Sequence, residues 1–311
     1  MGLARGISGS GRERSRWKRY ARSCLAALDP VWRQRIAAGA PFALSNLLTY
    51  PRAENQAIIQ SLCRCVYLGN DTALCRVLGR YKMYTDCTDV GLSGHLLMDG
   101  YWEMWVTEAM ARVIKPGMVV ADIGANLGYY TLLMGELVGS TGWVHAFEPN
   151  PPIAEHLRRN VGMNSAHRRT TVHQIALADR NGEAEMFVPV GQPKNATIMT
   201  GARADTIAVP LRRLDSFENL DRLDAIKIDV EGAEEAVWLG MEGILGGNRS
   251  LTIILEFAAD RCVDPGRFID DMLDRNFSLS LIGHDGRIVA LDKTALLALP
   301  GNQDQMLLLE R

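Results

Sequence analysis

An α/β fold on a doubly wound, mostly parallel sheet is what this sequence predicts, and three observations predict it. From Trp102 onward, apolar runs of strand length alternate with segments of helical spacing. The strand runs are continuously apolar, as strands buried on both faces are. The composition, 47% hydrophobic and 23% charged over 311 residues, suits a chain that buries a large core.

The elements follow in order. Residues 1–23 hold seven Lys/Arg against the single acid Glu13, with no apolar stretch behind the charges. They read as a disordered basic tail and not as a secretory signal. Residues 24–100 read as an extension that caps or lids the main domain. It is helical to about Leu68, punctuated by Pro30 and Pro41, and β-like over 73–84 around Gly79. The main domain spans 101–311. A helix over 105–114 leads to strand 118–123, helix 129–138, strand 143–147, helix 153–160 and strand 171–176. Segments 183–190 and 206–211 form an antiparallel excursion. Strand 225–229, helix 234–244, strand 251–257, helix 265–274 and strands 278–282, 287–291 and 305–309 complete the series.

Charge and cysteine usage exclude several classes. With the tail at +6 and the chain at −2, the remainder stands at −8, which argues against a nucleic-acid partner. The longest apolar runs fall far below the roughly 18 residues that span a bilayer. The six cysteines are scattered without a C-x-x-C, as in a reducing, cytoplasmic compartment.

Ligands of such sheets sit beyond the carboxyl ends of the strands. The first parallel strand ends in Asp122-Ile-Gly124-Ala-Asn126-Leu-Gly128. A dinucleotide fingerprint needs G-x-G-x-x-G. Here Asn126 and Tyr129 break it, and Asp122 sets a carboxylate where a pyrophosphate would lie. A ligand with an ammonium, a sulfonium and no phosphate suits that charge, and S-adenosylmethionine is such a ligand. Against this stands a purely structural strand-to-helix turn. Glu148, 24 residues beyond Gly124 at the tip of the second strand, is placed for a ribose in either cofactor class. Ala176-Leu177-Ala178-Asp179 either walls an adenine ring or packs plainly ahead of a turn. The fourth strand runs into Asp229-Val-Glu231-Gly-Ala-Glu234. The i, i+2 spacing lets Asp229 and Glu231 share a face, while Glu234 reads as a helix N-terminal acid. Glu256 is either a substrate contact or a strand-end charge.

Taken together, D-x-G-A-N-x-G-Y-Y-T, F-E-P-N-P, A-L-x-D and K-I-D-V-E-G-A-E resemble the FkbM-type S-adenosylmethionine-dependent methyltransferases, over residues 101–309. The resemblance implies a class I, Rossmann-like methyltransferase domain with a seven-stranded sheet whose last strand is antiparallel. It implies S-adenosylmethionine as donor, S-adenosylhomocysteine as product, and O-methylation of a sugar or other hydroxylated natural product. Carried over, Asp122, Gly124, Asn126 and Gly128 line the methionyl side, Glu148 takes the ribose, Leu177 and Asp179 lie near adenine, and Asp229 lies near the methyl. Ala125 and Asn150, in the same turns, complete the cofactor set.

Methyl transfer from a sulfonium is an in-line displacement in which a base assists a hydroxyl nucleophile. Asp229 and Glu231 are the candidate bases, with His95 and His284 as alternatives if their loops fold over the cleft. Trp102, Glu103, Tyr130 and Glu256 are the candidate substrate contacts, and the loops 192–206 and 260–265 the candidate acceptor walls. No metal is expected, although Asp229, Glu231 and Glu256 together would suit Mg²⁺. The alternatives are a lipid-linked glycan or N-centre acceptor, and a non-catalytic scaffold that retains the fold.

Overall fold

A computed structural model describes residues 40–189, 191, 196–199, 206–218, 220, 222–247 and 250–311. The basic tail, the extension before residue 40 and most of the 192–206 loop lie outside the described residues.

The described chain opens with helices α1 (Asn46–Thr49) and α2 (Arg52–Leu62). An antiparallel sheet follows, ordered β1 (Cys65–Gly69), β2 (Thr72–Val77), β3 (Tyr81–Asp86), and then helix α3 (Leu92–Met98). The sequence reading carried the first helix to Leu68. It stops at Leu62 because Cys63 turns extended and the apolar run Cys65-Val-Tyr-Leu pairs with β2, Cys65 opposite Cys75. A short apolar run fits either element, and here cross-strand pairing decides.

The main domain contributes helices α4 (Met104–Val113), α5 (Tyr129–Leu137) and α6 (Pro151–Gly162), with strands β4 (Val119–Ile123), β5 (Trp143–Phe147) and β6 (Thr170–His173). Strands β7 (Ala176–Leu177), β8 (Gly182–Phe187), β9 (Thr197–Met199) and β10 (Thr206–Arg212) come next, then β11 (Ala225–Ile228), α7 (Glu234–Leu239), α8 (Glu242–Gly247) and β12 (Thr252–Phe257). The chain closes with α9 (Pro265–Asp274), β13 (Ser278–Ile282), β14 (Ile288–Ala290), α10 (Lys293–Leu297) and β15 (Gln305–Glu310). The large sheet has the order β14-β13-β15-β12-β11-β4-β5-β6, with β15 antiparallel to both neighbours. This is the class I arrangement with eight strands instead of the expected seven, because β14 folds back on β13 as a hairpin.

Two further expectations are corrected. The single strand over 171–176 is two: β6 closes the large sheet, whereas β7 pairs with β10 in a separate sheet ordered β7-β10-β8-β9. The single helix over 234–244 is also two. A Cβ on Gly240 would lie 1.9 Å from the Ala178 carbonyl oxygen, so the chain breaks where it touches the loop after β7.

One apolar core runs from the N-terminal layer into the main domain. Ile58, Ile59 and Met83 belong to the same buried cluster as Met104, Tyr129 and Leu132. The free edge of β3 is met by α6 and the residues after it. Asn160 accepts from the Tyr84 N–H at 2.7 Å and donates to the Tyr84 carbonyl at 3.0 Å and the Leu127 carbonyl at 2.8 Å. Asn164 repeats the pattern on Lys82, at 3.1 and 2.7 Å. Asn160 near the end of α6 and Asn164 just beyond it thus reach alternate residues of β3, and two amides complete the edge as a neighbouring strand would. Among the described residues no helix is long and apolar enough to cross a membrane.

Candidate functional site

Beyond the carboxyl ends of β4, β5, β11 and β12 lies a cavity of about 590 Å³. Its floor is the turn between β4 and α5. Gly124, Asn126 and Gly128 all have positive φ, at 75°, 50° and 94°. Asn126 tolerates this because its own Oδ1 accepts from the Leu127 N–H at 2.7 Å. Every N–H from 124 to 128 is committed inside the protein. Gly124 and Ala125 donate to the Phe147 carbonyl at 3.1 and 2.9 Å, and Gly128 donates to Ala125 at 2.9 Å. Asn126 donates to Glu148 Oε2 at 2.9 Å. The turn therefore offers no nest of amides to a phosphate.

Glu148, at the tip of β5, is held at both oxygens: Oε1 accepts from the Asn150 N–H at 2.9 Å and Oε2 from Asn126. Its carboxylate is buried yet lines the cavity. Burial pushes its pKa up from 4.5 to about 7, against the pull of those two amides. Beside it the wall turns apolar, through Phe147, Ile175, Leu177, Met186 and Ile198. The sheet β7-β10-β8-β9 thus supplies one side of the cavity.

The third side comes from the turn after β11. Glu231 and Gly232 have positive φ, and Glu234 secures them by accepting from the Val230 and Gly232 N–H groups at 3.1 and 3.0 Å. Asp229 and Glu231 both face the cavity. Arg261 donates to Glu231 at 3.1 Å, to Glu256 at 3.1 Å, and to Asp304. Burial, then the charges of Asp229 and Glu231, pushes the Glu256 pKa up to about 8. Lys227, almost wholly buried, lines the cavity between the two turns. Its Nζ donates to the Gly124 carbonyl at 2.9 Å and stands 3.1 Å from Asp229 and 3.5 Å from Asp122.

The far end is lined by Trp102, Glu103, Trp105, Tyr130 and His284. The Tyr130 hydroxyl donates to Glu103 at 2.9 Å. The His284 ring packs 4.4 Å from Trp105, and its carbonyl accepts from Arg52, which is itself paired with Glu108. The N-terminal layer thereby holds the loop that brings His284 over the cleft. His95 instead packs on the outer side, 5.1 Å from the Trp102 ring and beside Asp99.

The structure brings Gly124, Ala125, Asn126, Glu148, Leu177, Asp229, Glu231, Trp102, Glu103, Tyr130 and Glu256 to one cavity. Four other candidates do not line it. Asp122 is fully buried below the floor, accepting from Thr131 at 2.5 Å, with its pKa raised by burial. Gly128 starts α5, where a Cβ would lie 2.6 Å from Leu157 Cδ1. Asn150 is buried and acts through its N–H on Glu148. Asp179 faces outward in an ion pair with Arg180. Sequence reasoning missed the segment 302–305 and the bonds of Lys227, and it placed Arg261 only within the 260–265 acceptor wall, not in its bonds to Glu231, Glu256 and Asp304. Of the missed features only Lys227 left a signal, since it lies two residues before Asp229 and so on the same strand face. Among the described residues no group of three or more His, Cys, Asp and Glu side chains is arranged to hold a metal ion.

Comparison with known proteins adds a family. The model of the methyltransferase FkbM domain matches residues 122–279. The chain is similar to the 31-O-demethyl-FK506 methyltransferase FkbM of Streptomyces tacrolimicus, 38% identical over 96 residues, which are 30% of this chain and 34% of that protein. It is similar to the AMB antimetabolite synthetase AmbE of Pseudomonas aeruginosa, 30% identical over 183 residues, 46% of this chain and 9% of that one. Among solved structures, the methyltransferase FkbM from Methylobacillus flagellatus KT aligns over 89% of this chain and 59% of its own, with 14% identity and a TM-score of 0.42. The chain spans less than two thirds of each of these relatives.

Proposed function

We infer that this chain, which belongs to the methyltransferase FkbM domain family, transfers a methyl group from S-adenosylmethionine to a hydroxyl oxygen of a sugar or other hydroxylated small molecule. One observation carries the cofactor reading. The turn after β4 has its five amides from 124 to 128 already bonded within the protein and stands among carboxylates. A pyrophosphate would find no free amide donors there, and the Lys227 ammonium at the turn is already held by Asp122, Asp229 and the Gly124 carbonyl. A ribose with a cationic tail finds both acceptors and negative charge.

The residues present fit that group. Glu148 would accept the ribose hydroxyls on the lone pairs its two amides leave open. Gly124, Ala125 and Asn126 would lie along the methionyl side, with the Asp229 carboxylate near the ammonium. Leu177 and its apolar neighbours would cover the adenine. Asp122, Gly128 and Asn150 support this arrangement from behind the cavity wall. When bound, the cofactor supplies a methyl group already activated on a sulfonium.

The chain's own task is then alignment and proton removal. Trp102 and Tyr130 line the far end, and Glu103 and Glu256 present carboxyl groups there for hydrogen bonds with acceptor hydroxyls. Fixing the nucleophilic oxygen at near-attack distance supplies most of the advantage. We assign the hydroxyl proton to the Asp229–Glu231 pair, which would add roughly 10²–10⁴-fold.

The test is transfer of an isotope-labelled methyl group from S-adenosylmethionine to a panel of monosaccharides and polyhydroxylated natural products. The expected result is a labelled methyl ether from at least one of them. Asp229→Asn or Glu231→Gln should lower that turnover about a hundredfold while the protein stays folded. Full turnover in both variants would remove the pair from the role of base. Label on nitrogen would replace the hydroxyl acceptor by an amine.

A further inference from the structure

Lys227 is 2% exposed and Asp122 is fully buried, directly opposite each other in the register of β11 and β4. An ammonium removed from water is costly unless several partners hold it. This one has three. Asp122 faces it across the strands, Asp229 lies two residues on, just past the end of its own strand, and the Gly124 carbonyl accepts from it at 2.9 Å. The Tyr130 ring closes the fourth side, 5.4 Å from Nζ.

Two of these partners belong to different turns, Gly124 to the one after β4 and Asp229 to the one after β11. The turns touch closely: a Cβ on Gly124 would lie 1.8 Å from the Asp229 carbonyl oxygen. Gly124 also has a positive φ, so the contact relies on a residue that is conformationally free in isolation. One buried cation bonded to both turns removes that freedom.

We propose that Lys227 is the positioning residue of the cavity: by joining the Gly124 carbonyl to the Asp229 carboxylate it locks the two turns in the arrangement that receives the cofactor. Its ammonium is not a proton donor here. Burial works against its charge, but Asp229 and Asp122 outweigh burial and raise its pKa above the ordinary 10.5. Only 2% exposed at the cavity wall, it acts through the groups it holds. This rests on the reading that the cavity takes S-adenosylmethionine.

A purely structural role makes a different prediction. If Lys227 only neutralised Asp122, removing both charges would restore everything. The full chain is therefore compared as wild type, Lys227→Met, Asp122→Asn, and the double variant. S-adenosylhomocysteine affinity is read by calorimetry and stability by thermal unfolding. Lys227→Met leaves a buried carboxylate without its partner and should lower both. The double variant should regain stability to the level of Asp122→Asn, yet bind S-adenosylhomocysteine at least about tenfold more weakly than Asp122→Asn, or about 1.4 kcal/mol. Equal affinity of those two proteins, or wild-type affinity in Lys227→Met, would overturn the proposal and leave the cofactor reading intact. A wild type that does not bind S-adenosylhomocysteine would overturn both.

Discussion

Lowering the pH from 8 to 6 should weaken S-adenosylhomocysteine binding about tenfold, because Glu148 titrates in that interval. Burial raises this carboxyl from 4.5 to about 7 in the ligand-free protein. The sign for folding follows. Glu148 is protonated more readily in the native state than in the unfolded chain. Its contribution to stability is therefore greatest below about 4.5 and is lost as the pH rises through about 7. The rise from 4.5 to about 7 is on the order of 3 kcal/mol. Ribose hydroxyls donate to the ionised form, so binding opposes protonation. At pH 8 about nine molecules in ten are ionised, and at pH 6 about one in ten, which sets the tenfold. Calorimetry at pH 6, 7 and 8, in buffers of different ionisation heat, reads both the affinity and the proton released. Glu148→Gln should bind more weakly at pH 8 by at least tenfold, since a charge-assisted bond contributes about 1.5–3 kcal/mol, and should lose the pH dependence. Glu256, which titrates near pH 8 at the acceptor end, stays in that variant as an internal control. A wild-type affinity that is constant from pH 6 to 8, or a slope retained in Glu148→Gln, would refute the reasoning.

Other perturbations address the frame around the site. Gly240→Ala drives a Cβ into the Ala178 carbonyl and should destabilise the protein by about 2–3 kcal/mol, read from urea midpoints. An unchanged midpoint would mean that the break between α7 and α8 is not set by that contact. Asn160→Leu leaves the Tyr84 N–H and two carbonyls without their partner and should cost about 3 kcal/mol, with faster hydrogen exchange confined first to β3. A loss under about 1 kcal/mol would mean that the N-terminal layer is held by its apolar core alone.

The parallel core was legible because its strands are continuous apolar runs that end in Gly-rich or acidic turns. Asp122, Glu148 and Asp229 could be located for that reason. Their orientations were not legible. Asp122 reads as a ligand for the cofactor from the sequence, yet it is fully buried beneath the cavity lining, against Lys227 and Thr131. Asp179 follows a β7 that belongs to a different sheet, and so faces solvent. The acceptor end was least legible. The loops of Arg261 and His284 are named by the sequence, but the segment 302–305 that meets them there is not. No local periodicity announces such a meeting. Where short apolar runs fit two elements, as at Cys65–Gly69, pairing with β2 decided what spacing left open.

The central claim is that the cavity holds a ribose with a cationic tail and not a pyrophosphate. Separate titrations of the purified chain with S-adenosylhomocysteine and with NAD test it most directly, with Asp122→Ala as the control. The account predicts micromolar-range binding of S-adenosylhomocysteine, about −8 kcal/mol, weakened in Asp122→Ala, and no heat from NAD. Binding of NAD, or wild-type affinity for neither ligand, would contradict it.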